Sequence, residues 1–118
     1  MVEVRSQIPS STPATGKASA VTTVLVIDDS DVDREQIRRL LGGRHELIEA
    51  ATARAGMAAV SSSTVDCVLL DYRLPDEDGV RVLDLMSERS LPVVMLTSQG
   101  SEKVAVEALK HGAMDYLL

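Results

Sequence analysis

The sequence has no tryptophan and no phenylalanine, and Tyr72 and Tyr116 are its only tyrosines. Apolar residues still make up 45% of the 118, so a core can form. It has to be built from Val, Leu, Ile, Ala and Met, and the length suits one domain rather than two. Cysteine is nearly absent as well. Cys67 stands alone, which excludes an internal disulfide framework and suits a reducing compartment. Inside an apolar stretch, it reads as an inert core thiol. No apolar run approaches the ~18 residues that a membrane span needs, and the N-terminus carries no apolar signal core. Positive charge is scarce: 12 Lys and Arg against 18 Asp and Glu leave a net charge of −6. That balance argues against direct nucleic-acid or anionic-membrane binding, and it is compatible with a cation site or a basic protein partner. A soluble, cytoplasmic domain is expected.

What is present is ordered punctuation. Residues 1–22 are rich in Ser, Thr, Pro and Ala, including Pro9-Ser10-Ser11-Thr12-Pro13, and are expected to form a disordered leader. Thr23 to Ile27 is a β-branched apolar strand ended by Asp28-Asp29-Ser30. Ser30 offers a helix N-cap, with Asp31 and Asp33 in the first turn. Ile37, Leu40 and Leu41 form an inward stripe, Glu35 and Arg39 an i, i+4 pair, and Gly42-Gly43 a stop. His45 to Ala50 is a weaker strand, and Thr52 caps an Ala-rich helix reaching about Ser61. Val65 to Leu70 is an apolar strand ended by Asp71 and a turn rich in Pro, Asp and Gly. A helix near Val80 to Glu88 follows, with Val82, Leu85 and Met86 inward. Pro92 to Leu96 is a strand ending in Thr97-Ser98. Ser101 caps a helix closing at His111-Gly112, and Asp115 opens a fifth strand. There is no internal repeat.

Helical crossovers between short apolar strands specify a parallel sheet with helices on both faces. Five strands fit the flavodoxin-like order 2-1-3-4-5, whose switch point lies between strands one and three. Those are the strands that end in Asp28-Asp29 and in Asp71, so three carboxylates are predicted to converge at one sheet edge. Packed together they repel, and at neutral pH they need a cation or shared protons. Oxygen-only ligands favour Mg²⁺ or Ca²⁺; an open edge with few ligands suits Mg²⁺, which keeps waters and recruits a substrate phosphate. A phosphoryl group held there would meet Asp71 as a nucleophile, with the Thr97 hydroxyl within reach. Asp76-Glu77-Asp78 reads as a solvated turn, and His45 and His111 as surface residues.

Asp28-Asp29, the turn Leu70-Asp71-Tyr72-Arg73-Leu74-Pro75 with Asp78-Gly79, Leu96-Thr97-Ser98, and Gly112-Ala113-Met114-Asp115-Tyr116-Leu117 together resemble the receiver domains of two-component response regulators. The resemblance covers about Thr23 to Leu118. It implies that Asp71 accepts phosphate from a histidine kinase or phosphotransfer protein. Mg²⁺ would be held by Asp29, Asp71 and the backbone carbonyl of Arg73, with Asp28 acting through a water. Thr97 would be the switch hydroxyl and Tyr116 the switch aromatic, while Arg73 and Gln99 match positions that tune dephosphorylation. The output would be a conformational shift that controls a partner or an attached domain. Receivers also carry a lysine after strand five and a fifth helix. Counted from Tyr116, that lysine falls one residue past Leu118, so the resemblance implies a receiver cut short at strand five. Mg²⁺ binding is then expected to survive, and phosphorylation and switching to be impaired. An open aliphatic sheet face, or the fourth helix and fifth strand, would invite a homodimer.

Two other readings use the same residues. A Mg²⁺-dependent phosphatase of the haloacid-dehalogenase type also has a strand-end Asp nucleophile, but it wants a second Asp two residues on, where Arg73 stands. A phosphate-independent interaction domain would keep the fold without the chemistry.

Overall fold

The computed structural model describes residues 21–96 and 102–117. Expectations for residues 1–20, Thr97, Ser98, Gln99 and Ser101 therefore lie outside the described residues. The elements are β1 (Thr23–Ile27), α1 (Asp31–Leu41), β2 (Glu46–Ala50), α2 (Ala53–Ser62), β3 (Cys67–Asp71), α3 (Gly79–Glu88), β4 (Val93–Leu96), α4 (Glu102–Lys110) and β5 (Asp115–Leu117). The strands form one parallel sheet in the order β2-β1-β3-β4-β5, as the alternation of strands and helices predicts.

Strand alternation sorts the side chains onto two faces. Leu25 and Ile27 of β1, Val68 and Leu70 of β3, and Val93 and Met95 of β4 share one face. They join Ala53 of α2, Val82, Leu83 and Met86 of α3 and Ala108 of α4 in a single core. Each fully buried Val, Leu or Met there contributes about 1.5–3 kcal/mol relative to exposure. The opposite face carries Val24, Val26, Leu47, Cys67, Leu69, Val94 and Leu96. It is approached by α1, whose Arg34 and Arg38 reach Glu49 on β2. Val26 is fully buried there, whereas Cys67, Leu69, Val94 and Leu96 are only half-buried.

Several local expectations are corrected. Leu83, not Leu85, is the fully buried leucine of α3. Leu40 is 76% exposed rather than inward. With Arg34 and Arg38 turned to β2, the row carrying Val32 and Leu40 lies on another side of α1 and faces solvent. The glycine stop holds: α1 ends at Leu41 and Gly42 caps it, its N–H donating to Arg38 O at 2.8 Å with right-handed backbone, while the Arg44 and His45 N–H groups both donate to Leu41 O at 3.0 Å. Gly112 does take a left-handed conformation, φ +105°, and ends α4 as expected.

Candidate functional site

Three carboxylates meet where β1 and β3 leave the sheet side by side. Ile27 pairs with Leu70, so Asp28 and Asp71 each follow a paired residue on adjacent strands. One oxygen from each of Asp28, Asp29 and Asp71 lies within 4.8 Å of the others. The three differ in exposure: Asp28 is buried, Asp71 half-buried and Asp29 exposed. Asp28 and Asp71 are fixed locally. Asp28 N–H donates to Ala50 O at 3.0 Å, its Oδ1 accepts the Ser30 N–H at 2.9 Å, and its carbonyl accepts from Arg34 Nη1. Asp71 Oδ1 accepts the Arg73 N–H at 3.3 Å. Ser30 then caps α1 through the Asp33 N–H, so Asp31 and Asp33 belong to the helix start and not to the cluster.

The electrostatics follow from crowding. Burial, then the negative charge of Asp28, pushes the Asp71 carboxyl up to about 6, against a smaller opposing pull from the Arg73 N–H. Burial also raises Asp28, partly countered by its bond from the Ser30 N–H. Metal-free, the cluster holds its carboxylates at an energetic cost that a hard divalent cation would remove. All-oxygen donors on an open edge, one of them exposed, fit Mg²⁺ better than a closed Ca²⁺ cage.

The turn after Asp71 is shaped by its glycine. A Cβ on Gly79 would sit 2.4 Å from Tyr72 O, and the Gly79 N–H donates to that same oxygen at 3.1 Å. Arg73 pairs with Asp78 in an isolated antiparallel bridge, which closes a small loop with Asp76 near its tip. Asp78 caps α3 by accepting the Val80 N–H at 2.8 Å. Asp76 accepts the N–H groups of Ala53 and Arg54 at the start of α2. The turn expected to be merely solvated thus caps two helices. The Asp78-Gly79 pair carried a signal for the first cap; nothing local signalled the second.

The remaining predicted residues fall as follows. Leu96 is the strand partner of Asp71, and Thr97, which follows it, lies outside the described residues. Tyr116 pairs with Met95 in β5 and packs half-buried against the core. His45 is half-buried, and His111 lies at the surface as expected, its side chain 34% exposed. His111 bridges two helices, Nδ1 at 2.7 Å from Asp84 Oδ1 and Nε2 at 3.0 Å from Glu107 Oε2. Among the described residues, no helix is long and apolar enough to cross a membrane.

Comparison with known proteins agrees with this geometry. Residues 24–118 match the family profile of the response regulator receiver domain. The chain is 39% identical over 98 residues to protein-glutamate methylesterase/protein-glutamine glutaminase 6 of Anaeromyxobacter dehalogenans, covering 80% of this chain and 28% of that protein. It is 33% identical over 99 residues to the KDP operon transcriptional regulatory protein KdpE of Escherichia coli, covering 82% and 44%. The chain thus spans less than half the length of these curated relatives. Among solved structures, chemotaxis protein CheY4 of Vibrio cholerae superposes with a TM-score of 0.77 at 26% identity, covering 84% of this chain and 87% of that one. A CheY-like receiver domain protein from Methanospirillum hungatei gives 0.75 at 26% identity, covering 83% and 81%. The profile match over the ordered elements, with the acidic cluster at the switch point, places this chain in the response regulator receiver domain family.

Proposed function

We propose that this receiver domain takes a phosphoryl group from a histidine kinase or phosphotransfer protein onto Asp71, and that the resulting shift controls a partner or an attached output domain. The observation carrying this reading is the convergence of Asp28, Asp29 and Asp71 within 4.8 Å at the end of two adjacent central strands. Asp71 is the nucleophile: it ends β3 and is half-buried. Its carboxyl, raised to about 6, is mostly ionised above neutral pH and able to attack phosphorus. Asp29, Asp71 and the Arg73 backbone carbonyl would hold Mg²⁺ directly, with buried Asp28 acting through a water. When bound, the ion neutralises the acidic cluster and the incoming phosphoryl oxygens. Thr97 and Tyr116 are assigned the switch hydroxyl and the switch aromatic.

The domain performs this transfer on itself and loses the phosphate by hydrolysis, without turning over an external substrate. Arg73 occupies the position where a phosphatase of this chemistry would need an acid, and its side chain is exposed. The methylesterase relative does not bear on this, because the chain spans only 28% of it. A net charge of −6 gives the domain no electrostatic footing on nucleic acid, and the lone cysteine suits the cytoplasm.

The test is a covalent one. Full-length protein carrying this domain is incubated with Mg²⁺ and acetyl phosphate or a phosphorylated kinase, then examined by mass spectrometry. A labile phosphoryl adduct on Asp71, absent from Asp71→Asn, is expected. No adduct with either donor would sink the reading, and sustained phosphate release from many substrates would favour an enzyme.

A further inference from the structure

Asp76 lies in the loop that leaves Asp71 and is itself exposed, yet both of its carboxylate oxygens are engaged. Oδ1 accepts the Ala53 N–H at 2.8 Å and Oδ2 the Arg54 N–H at 3.0 Å. These are the first two residues of α2, whose N–H groups have no partner inside the helix. The same bonds hold the Asp76 carboxyl below the usual carboxylate range, so it stays charged and suited to the positive end of the helix. Helix α2 already has its own cap, Thr52, which accepts the Ala55 N–H at 3.0 Å. The Asp76 bonds are therefore a tie between elements more than a local helix start.

That tie completes a chain of contacts between the Asp28 and Asp71 sides of the acidic cluster. The loop is fixed at its base by the Arg73–Asp78 bridge and the Gly79–Tyr72 hydrogen bond, and near its tip by Asp76. Helix α2 presses on β1 at Gly56, where a Cβ would come within 2.4 Å of Ile27 Cδ1. Ile27 directly precedes Asp28. The path from Asp28 runs through Ile27, Gly56, Ala53, Asp76 and Arg73 back to Asp71, with α2 as the strut between the two sides. Without Asp76 the loop loses its bonds to α2 and keeps those at its base, together with Leu74, which packs against the core.

We propose that Asp76 is a positioning residue of the acidic site: by bonding to the start of α2 it fixes the loop that carries the Arg73 backbone. It thereby sets the spacing between the Asp28–Asp29 side and the Asp71–Arg73 side that a divalent cation has to span. The inference rests on the phosphoacceptor reading only for the identity of that ligand.

The test compares wild type with Asp76→Ala, Asp76→Asn and Thr52→Ala by Mg²⁺ titration followed by NMR or calorimetry, and by amide exchange without metal. Thr52→Ala removes a cap from the same helix end without touching the loop, so it controls for helix stability alone. Asp76→Ala should raise the Mg²⁺ Kd several-fold, up to about tenfold, no more than the low end of the ~10–100-fold effect of losing a direct partner of a metal ligand, because Asp76 acts on the loop and not on a ligand. Asp76→Asn, which retains one acceptor oxygen, should fall between, and Thr52→Ala should lower Tm while leaving the Kd unchanged. In metal-free protein, exchange at the Arg73 and Gly79 amides should quicken in Asp76→Ala and not in Thr52→Ala. Wild-type affinity and exchange in Asp76→Ala would overturn the proposal, as would parallel losses in Asp76→Ala and Thr52→Ala. If wild type binds no Mg²⁺, the phosphoacceptor reading fails, and the metal-free exchange still decides whether Asp76 holds the loop.

Discussion

Replacing Asp71 by asparagine should stabilise the metal-free domain at neutral pH, and the size of the effect follows from the crowding of the site. Burial and the Asp28 charge lift the Asp71 carboxyl from its ordinary 3.8 to about 6. A folded-state pKa above the unfolded one means that the folded protein binds the proton more tightly. Stability is therefore lost as pH rises from about 4 to about 6, and the whole penalty is present above that range. At ~1.36 kcal/mol per pKa unit, the gap between 3.8 and about 6 amounts to about 3 kcal/mol. Solvent reaching this half-buried side chain reduces that to about 1–2 kcal/mol. Asparagine has no proton to lose, and its Oδ1 can still accept the Arg73 N–H. Thermal unfolding in EDTA from pH 4 to pH 8 is the assay. The two Tm curves should meet near pH 4 and separate by about 4–16 °C at pH 7.5, at ~4–8 °C per kcal/mol for a domain of this size. Excess Mg²⁺ should narrow or reverse the gap, because it stabilises the wild type by mass action. Parallel curves across this range, or an Asp71→Asn protein less stable at pH 7.5, would refute the electrostatic reasoning.

Gly79→Ala should cost about 1–3 kcal/mol in urea unfolding, the usual range for overpacking, because its Cβ would meet the Tyr72 backbone at 2.4 Å rather than a side chain that can yield. His111, bonded by Asp84 and then Glu107, has its pKa raised. Its contribution is therefore complete below the ordinary 6.5 and lost as pH climbs through the folded-state value; imidazole NMR should show that value falling in Asp84→Asn, and an unchanged midpoint would count against the bridge. Val32, Leu40 and Leu117 are exposed, and the sheet face carrying Leu69, Val94 and Leu96 is only half-covered, so this chain should self-associate with rising concentration. Light scattering after size exclusion should detect it and Leu40→Lys should weaken it, whereas a monomer at all concentrations would argue against the face being adhesive.

The sequence by itself determined the class of fold. Short aliphatic strands such as Thr23 to Ile27 and Val65 to Leu70, alternating with capped amphipathic helices, leave little besides a parallel sheet with crossovers. The same punctuation marked Asp28, Asp29 and Asp71 as strand-end carboxylates, because charge next to a buried run can only sit where the strand leaves the core. Three-dimensional packing decided the rest. Whether Leu83 or Leu85 turned inward depended on how α3 rolled against β3 and β4, and helical spacing tolerates both. Leu40 met the apolar pattern of α1 and still faced solvent, because Arg34 and Arg38 turned their side of the helix to Glu49. Asp76 is the sharpest case. In sequence it belongs to an acidic turn, and its partners Ala53 and Arg54 lie 23 and 22 residues away. Spacing arguments reach along one helix or strand, so a bond that forms only after α2 and the loop beyond β3 have packed side by side was visible only in the folded chain.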